Sequence, residues 1–279
     1  YYTDGVSSHN TGVGKSLMMC DLAASNLEQG KSVLYITMEM AEEKIAERID
    51  ANLFDVDISK ITDLSKDVFD SKVKKIASKT TGKLIVKEYP TAAAHVGHFR
   101  ALLQELKMKK QFIPDIIYID YLNICASSRL KGMSNNVGSY GLVKSIAEEI
   151  RGFAVEFNCA IVSATQSVRG AQLASDVEIT DVSESFGLAH TVDLLLSALS
   201  TEDLEKLNQL MIKQLKNRYN DVSKNKRFTV GIDRSRMRIY DLEDPLANVI
   251  SPNTQSVAHV ASTPFAASQP ERKVYTGFK

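Results

Sequence analysis

The chain has no net charge: 34 lysines and arginines balance 34 aspartates and glutamates over 279 residues. Overall charge therefore argues neither for nor against a nucleic-acid partner, and any basic surface must be local. No apolar run approaches the roughly 20 residues that a membrane-spanning helix needs, which argues against a membrane protein. No signal-peptide pattern is read at its start. Cysteine is scarce. Cys20, Cys125 and Cys159 lie far apart, in or beside apolar runs, which points to reduced thiols in an intracellular protein rather than a disulfide framework. Histidine is scarce too, and the one close pair, His95-x-x-His98, has no cysteine near it, so a helix surface is expected there rather than a zinc site. There is no internal repeat.

What is present begins at Thr11-Gly12-Val13-Gly14-Lys15-Ser16, followed at once by the apolar Leu17-Met18-Met19-Cys20. This fits the phosphate-binding template G-x-x-x-x-G-K-[ST] at every position but the first, where His9 stands. Glycines let successive N–H groups converge on an anion, and the helix opening at Lys15 adds its positive end. Thr11 to Leu17 are the candidate nucleotide-binding residues. Lys15 is expected against the β- and γ-phosphates of ATP or another nucleoside triphosphate, and Ser16 on Mg²⁺. Such a loop normally follows a buried strand, yet Tyr1 to Ser8 is mostly polar, and residue 1 is not Met. The expectation is a fragment, or an irregular start.

Along the chain, helices and buried strands alternate. Helices are expected at 15–29, 42–52, 66–79 and 92–109, and one with the apolar stripe Leu142, Ile146, Ile150, Phe153 and Phe157. Strands are expected at 33–37, 84–87, 116–119, 159–164, 194–199 and 210–215, with a charged helix between the last two. A hairpin is expected from 228–233 and 237–242. Two polar loops, 127–139 and 168–180, separate these elements. Beyond Asp244 the composition shifts to Pro, Ser, Thr and Ala, with four of the six prolines. Residues 245–279 therefore read as a disordered tail, and 1–244 as one domain. The order implies an α/β fold: a mostly parallel sheet with helices on both faces and a C-terminal antiparallel hairpin.

In such sheets ligands lie beyond the carboxyl ends of the strands. Glu39, Asp120 and Gln166 each stand at the end of a different apolar strand, and would gather there beside the loop. Asp120 is placed to hold Mg²⁺, although a strand-end carboxylate can also cap a turn. Glu39 is placed to polarise an attacking water, although an acid at a helix start can also serve the dipole. Gln166 can bond the γ-phosphate.

Thr37-Met38-Glu39-Met40, Ile119-Asp120-Tyr121-Leu122, Gln166, Asp181-Val182-Ser183-Glu184-Ser185 and Lys216-Asn217-Arg218-Tyr219 stand in an ordered series that resembles DnaB-like replicative helicases. With Met38 to Glu43 and Arg48 to Asn52 added, the chain looks most like the T-even phage members. The resemblance spans about residues 10 to 242. It implies a RecA-like P-loop motor domain, without the family's amino-terminal domain, in a hexameric ring. Such a ring hydrolyses nucleoside triphosphate and moves 5′ to 3′ on single-stranded DNA, in the cytoplasm of a bacterium or a phage-infected host cell, with primase and a helicase loader as partners. It also implies that the two polar loops face the channel, with Arg129, Lys131 and Arg169 as candidate DNA contacts. Lys216 and Arg218 would reach a neighbour's γ-phosphate. The same core occurs in RecA-like recombinases, in clock-type ATPases and in nucleotide-dependent scaffolds, and the residues alone leave these open.

Overall fold

A computed structural model describes residues 2–5, 14–129, 139–166 and 185–242. Among the described residues, nine strands form one sheet in the order β3-β2-β4-β5-β1-β6-β7-β8-β9. They are β1 (Tyr2–Gly5), β2 (Val33–Thr37), β3 (Leu84–Glu88), β4 (Ile116–Asp120), β5 (Ala160–Gln166), β6 (Leu194–Leu199), β7 (Gln209–Asn217), β8 (Arg227–Asp233) and β9 (Arg238–Asp241). The six strands from β3 to β6 in that order are parallel. β7, β8 and β9 continue the sheet antiparallel.

Strand residues alternate between faces, and both faces of this sheet are covered. Leu34, Ile36, Ile117 and Ile119 pack on Phe99, Leu103, Ile146, Ile150 and Phe153, from helices α4 (Val96–Lys110) and α5 (Ser139–Phe157). Val33, Tyr35 and Tyr118 pack on Met19, Cys20, Ala23, Ile45 and Ile49, from α1 (Lys15–Glu28) and α2 (Glu42–Phe54). This double burial is why β2 and β4 read as continuous apolar runs. Three further α-helices, α3 (Lys66–Ala77), α6 (Ser185–Thr191) and α7 (Glu202–Lys206), and two short 3-10 turns at Ile58–Lys60 and Leu122–Ile124 complete the described helices. No described helix is long and apolar enough to cross a membrane.

α1 stops where Gly30 takes a φ of 79°: its N–H bonds the Leu27 carbonyl, and Lys31 N–H bonds Asn26. This is a Schellman closure, which favours glycine at that position. α4 starts at Val96, four residues later than the pattern suggested. Thr91 Oγ1 donates to the Met38 carbonyl, Ala92 N–H donates to the Ile124 carbonyl, and the Ala94 carbonyl accepts from Ala126 N–H, so none of these bonds belongs to a helix of their own. The His95–His98 pair caps α4. His95 Nδ1 accepts from Gly97 N–H and His98 Nδ1 accepts from His95 N–H.

One expectation is corrected. Tyr2–Gly5 is not irregular but a parallel strand, paired with β5 through Tyr2↔Ala164 and with β6 through Tyr2↔Leu196. The tail, residues 245–279, and the loop 168–180 lie outside the described residues.

The antiparallel strands are tied to the helices by Asn52, which is 6% exposed. Its Nδ2 donates to Asp21 Oδ1 of α1 (2.9 Å) and to the Met237 carbonyl before β9 (2.7 Å). Its own carbonyl accepts from Arg238. Asn52→Ala takes a donor from two half-buried acceptors, of which Asp21 Oδ1 keeps Ile239 N–H, at about 1 kcal/mol. Asn52→Asp should cost more, since it sets a second carboxylate against Asp21. Urea unfolding at neutral pH should rank wild type above Ala above Asp, and an Asp variant as stable as wild type contradicts this role.

Candidate nucleotide site

The register lines up the carboxyl ends of the parallel strands. Thr37 pairs with both Glu88 and Asp120, Ile119 with Ser163, and Tyr2 with Ala164. β1 runs toward this edge and ends at Gly5, and the chain re-enters the described structure at Gly14, capping α1. Thr11, Gly12 and Val13 lie outside the described residues. Gly14 has φ 106°, with nothing within 4 Å of an added Cβ. The backbone conformation, not space, is what calls for glycine there. Its carbonyl accepts from Met18 N–H at 2.7 Å, the first turn of α1.

From that turn Lys15 places Nζ 4.9 Å from the centroid of the Tyr121 ring. Ser16 Oγ donates to Asp120 Oδ2 at 2.9 Å, joining residues 104 positions apart. The side chain of Leu17 instead enters the core with Leu210 and Ile232. Asp120 is 1% exposed. Its Oδ2 also accepts from the Tyr35 hydroxyl at 3.0 Å, while Oδ1 has no hydrogen-bond partner among the described residues. A buried carboxylate oxygen with nothing to bond is costly. With the Ser16 hydroxyl beside it, this is the hard oxygen donor set that suits Mg²⁺. Burial pushes the Tyr35 phenol well above its ordinary value, with the Cys20 and Asp120 charges adding to it.

Glu39 is exposed on a turn held from three sides. Thr37 Oγ1 donates to the Met40 carbonyl and accepts from Met40 N–H. Met38 N–H donates to the Asp120 carbonyl, and Thr91 Oγ1 donates to the Met38 carbonyl. Burial raises the Tyr121 phenol, and the charges of Glu39 and Asp120 raise it further. Gln166 ends β5, its backbone paired with Asp4. Glu39, Asp120, Lys15 and Ser16 thus meet at one edge, with the end of β5 in the same row.

Lys216 and Arg218 do not join them. β7 runs antiparallel to β6, with Leu199↔Met211 and Leu194↔Asn217. Asn217 therefore lies at the amino edge of the parallel strands, opposite the loop. There Lys216 Nζ donates to the Ala189 carbonyl, and Arg218 Nη1 donates to Asp193 Oδ1 at 2.7 Å. Arg151 Nη1 reaches the same oxygen at 3.0 Å. Burial alone would raise the Asp193 carboxyl, but the two guanidiniums hold it below its ordinary value.

Of the candidate DNA contacts, Arg129 pairs with Glu148 at 3.1 Å. Lys131 and Arg169 lie outside the described residues. Sequence reasoning passed over Glu149, which anchors the stem before the first loop. Its carboxylate accepts from Ser127 Oγ, from Ser128 N–H and Oγ, and from Arg129 N–H. The available signal was an acid on the apolar stripe of α5, between Ile146 and Ile150.

Residues 6–227 match the DnaB-like helicase C terminal domain. The chain belongs to that family. It is 46% identical over 234 residues to the DnaB-like replicative helicase of Enterobacteria phage T4, covering 83% of this chain and 49% of that protein. It is 25% identical over 221 residues to a probable plasmid replicative DNA helicase of Chlamydia psittaci, covering 75% and 46%. The chain thus spans about half the length of the curated relatives it matches. Among solved structures, a DnaB-like replicative helicase studied for its interactions with primase superposes with a TM-score of 0.68 at 15% identity, covering 87% of this chain and 57% of that one. A second solved structure, an isolated ATPase domain, gives 0.67 at 16% identity, covering 87% and 84%. The shared fold is RecA-like.

The Glu149 anchor has a pH signature. Burial raises this carboxyl, but its four donors together hold it below its ordinary value. A lowered folded value means that the anchor's stabilisation is complete above the ordinary carboxylate range, and is lost as pH falls through the lowered value. Glu149→Gln should be less stable than wild type at pH 7, with faster amide exchange at Ser128 and Arg129. The gap should narrow below about pH 4. An equal gap at both ends of that range contradicts the anchor.

Proposed function

We propose that this chain is the motor domain of a ring-shaped replicative DNA helicase, which couples hydrolysis of ATP or another nucleoside triphosphate to 5′–3′ movement on single-stranded DNA. The observation that carries the reading is the division of the machinery between opposite edges of one sheet. The nucleotide-side residues Lys15, Ser16, Asp120 and Glu39 sit at the carboxyl edge, and the cations Lys216 and Arg218 at the amino edge. A subunit so built cannot bring its own Arg218 to its own loop. It completes a site only by lending that edge to a neighbour, as a closed ring, here a hexamer, allows.

In this reading Lys15 lies against the β- and γ-phosphates, and Ser16 and Asp120 hold Mg²⁺. A divalent cation held there would supply positive charge to the transferred phosphoryl group. Glu39 takes the proton of the attacking water, and Gln166 bonds the γ-phosphate at the end of β5. Arg129, Lys131 and Arg169 contact the DNA backbone in the channel. Primase and a loader are the proposed partners. The T4 relative is a replicative helicase, and one structural neighbour interacts with primase.

The cis pair of Arg218 with Asp193 does not oppose action in trans. Its side chains are 49% and 34% exposed, and such pairs are worth at most about 1 kcal/mol. An arginine on a transferring phosphoryl group is worth about 10³–10⁵ in rate, or roughly 4–7 kcal/mol. The exchange favours the phosphate.

Two measurements test the reading. Glu39→Gln should bind nucleotide near normally and slow hydrolysis by on the order of 10²-fold or more; lost binding with intact chemistry contradicts the assignment. Subunits carrying Arg218→Ala and subunits carrying Lys15→Ala should each be inactive alone and recover DNA-stimulated hydrolysis when mixed. Full activity of Arg218→Ala by itself, or of a verified monomer, would falsify the trans site. Strand exchange in place of unwinding would identify a recombinase, and binding without turnover a scaffold.

A further inference from the structure

Tyr35 belongs to none of the motifs that pointed to the site, yet it supplies the second donor on the carboxylate that closes it. We propose that Tyr35 is a positioning residue for Asp120: its hydroxyl holds Oδ2 so that Oδ1 stays available to the divalent cation bound with the nucleotide. The inference rests on the reading of Asp120 as a metal-side carboxylate.

The arrangement follows from the register. Tyr35 of β2 pairs with Tyr118 of β4, and Thr37 pairs with Asp120, so Tyr35 is the diagonal neighbour of Asp120 on one face. The Tyr35 ring is fully buried and stacked on Tyr118, with centroids 5.7 Å apart and planes 13° from parallel. Behind it, α1 brings Cys20 into the same buried cluster as the ring. The ring has little freedom, so the 3.0 Å bond to Oδ2 is made by a donor already in place.

Ser16 is the other donor on Oδ2, but it belongs to the phosphate-binding turn and is itself a proposed metal ligand. A hydroxyl drawn toward the cation is a poor fixed support for the carboxylate beside it. Tyr35 stands on a strand the nucleotide does not touch in the proposed arrangement. Of the two donors it is the one whose position does not depend on the bound state. Supports of this kind orient metal-side carboxylates, and their loss weakens metal affinity.

Tyr35→Phe keeps the ring and removes the oxygen. The test is Mn²⁺ binding to the ADP-bound protein, read by electron paramagnetic resonance, beside ADP binding without metal. Mn²⁺ affinity should fall about ten-fold while metal-free ADP affinity is unchanged. Wild-type Mn²⁺ affinity in a folded Tyr35→Phe overturns the proposal. Asp120→Ala separates the two layers. If it too binds Mn²⁺ normally, the metal reading of Asp120 has failed; if it is weak while Tyr35→Phe is normal, only the role of Tyr35 has. Should Tyr35→Phe not fold, the unaltered chain with ¹³C-labelled tyrosine carries the test. The Tyr35 resonance must shift when Mg²⁺ joins the ADP complex, and that response must vanish in Asp120→Asn. A resonance indifferent to both rejects the proposal.

Discussion

The carboxylate of Asp120 is the contact on which the rest of the site depends. It is buried at the end of a central strand, and its two donors come from different layers, Ser16 from the first turn of α1 and Tyr35 from the adjacent strand. Burial makes each of these bonds matter more than it would in water, because an unmet lone pair there has no solvent to turn to. The bond to Ser16 fixes where α1 starts relative to β4. That in turn fixes where Gly14 must bend the chain and where Lys15 projects. The sheet supplies the frame, but this carboxylate joins the frame to the phosphate-binding turn.

A second constraint comes from direction. Six parallel strands all end at one edge, so every group at a strand terminus is delivered to the same side. The chain then reverses at β7, and that reversal alone carries Lys216 and Arg218 to the far edge. Asp193, just before β6, meets them there because β6 starts where β7 ends. The cation cluster of Arg151, Lys216 and Arg218 around one carboxylate leaves a local excess of positive charge. A neutral chain can therefore still present a basic edge, which the overall balance of charge conceals.

Much of this was legible beforehand, and for a physical reason. Strands buried on both faces must be apolar throughout, so β2, β4 and β6 stand out as runs. The glycine, lysine and serine of the phosphate-binding turn are dictated by backbone geometry and charge. β1 was missed because Tyr2-Thr3-Asp4-Gly5 lacks that apolar signature. Its place between β5 and β6 is set by pairing with neighbours that no local pattern reveals. α6 was missed because seven residues are too few to show a period. The start of α4 was misjudged because residues 91–95, suited to a helix by composition, bond to neighbouring loops instead. Tyr35 and Glu149 were passed over because each sits in an apolar stretch whose polar atom finds a partner only across the fold.

The segment after Asp120 shows how the site and the first polar loop are joined. Thr165 of β5 donates to Asn123 within it, and Cys125 lies buried with Sγ 3.9 Å from Met38 Sδ, next to Glu39. Two residues further on, Ser127 begins the stem that Glu149 holds. The ends of β2, β4 and β5 are therefore packed against one short connector between Asp120 and the Arg129 stem. Contiguity of this kind is not itself coupling, which is a difference in free energy between two states that both sites bias. A displacement at the end of β2 or β5 would meet the 121–129 segment first at Cys125, against Met38, and at Asn123, against Thr165. In the proposed motor, the state of the phosphate would reach the loop by this short, covalently continuous route.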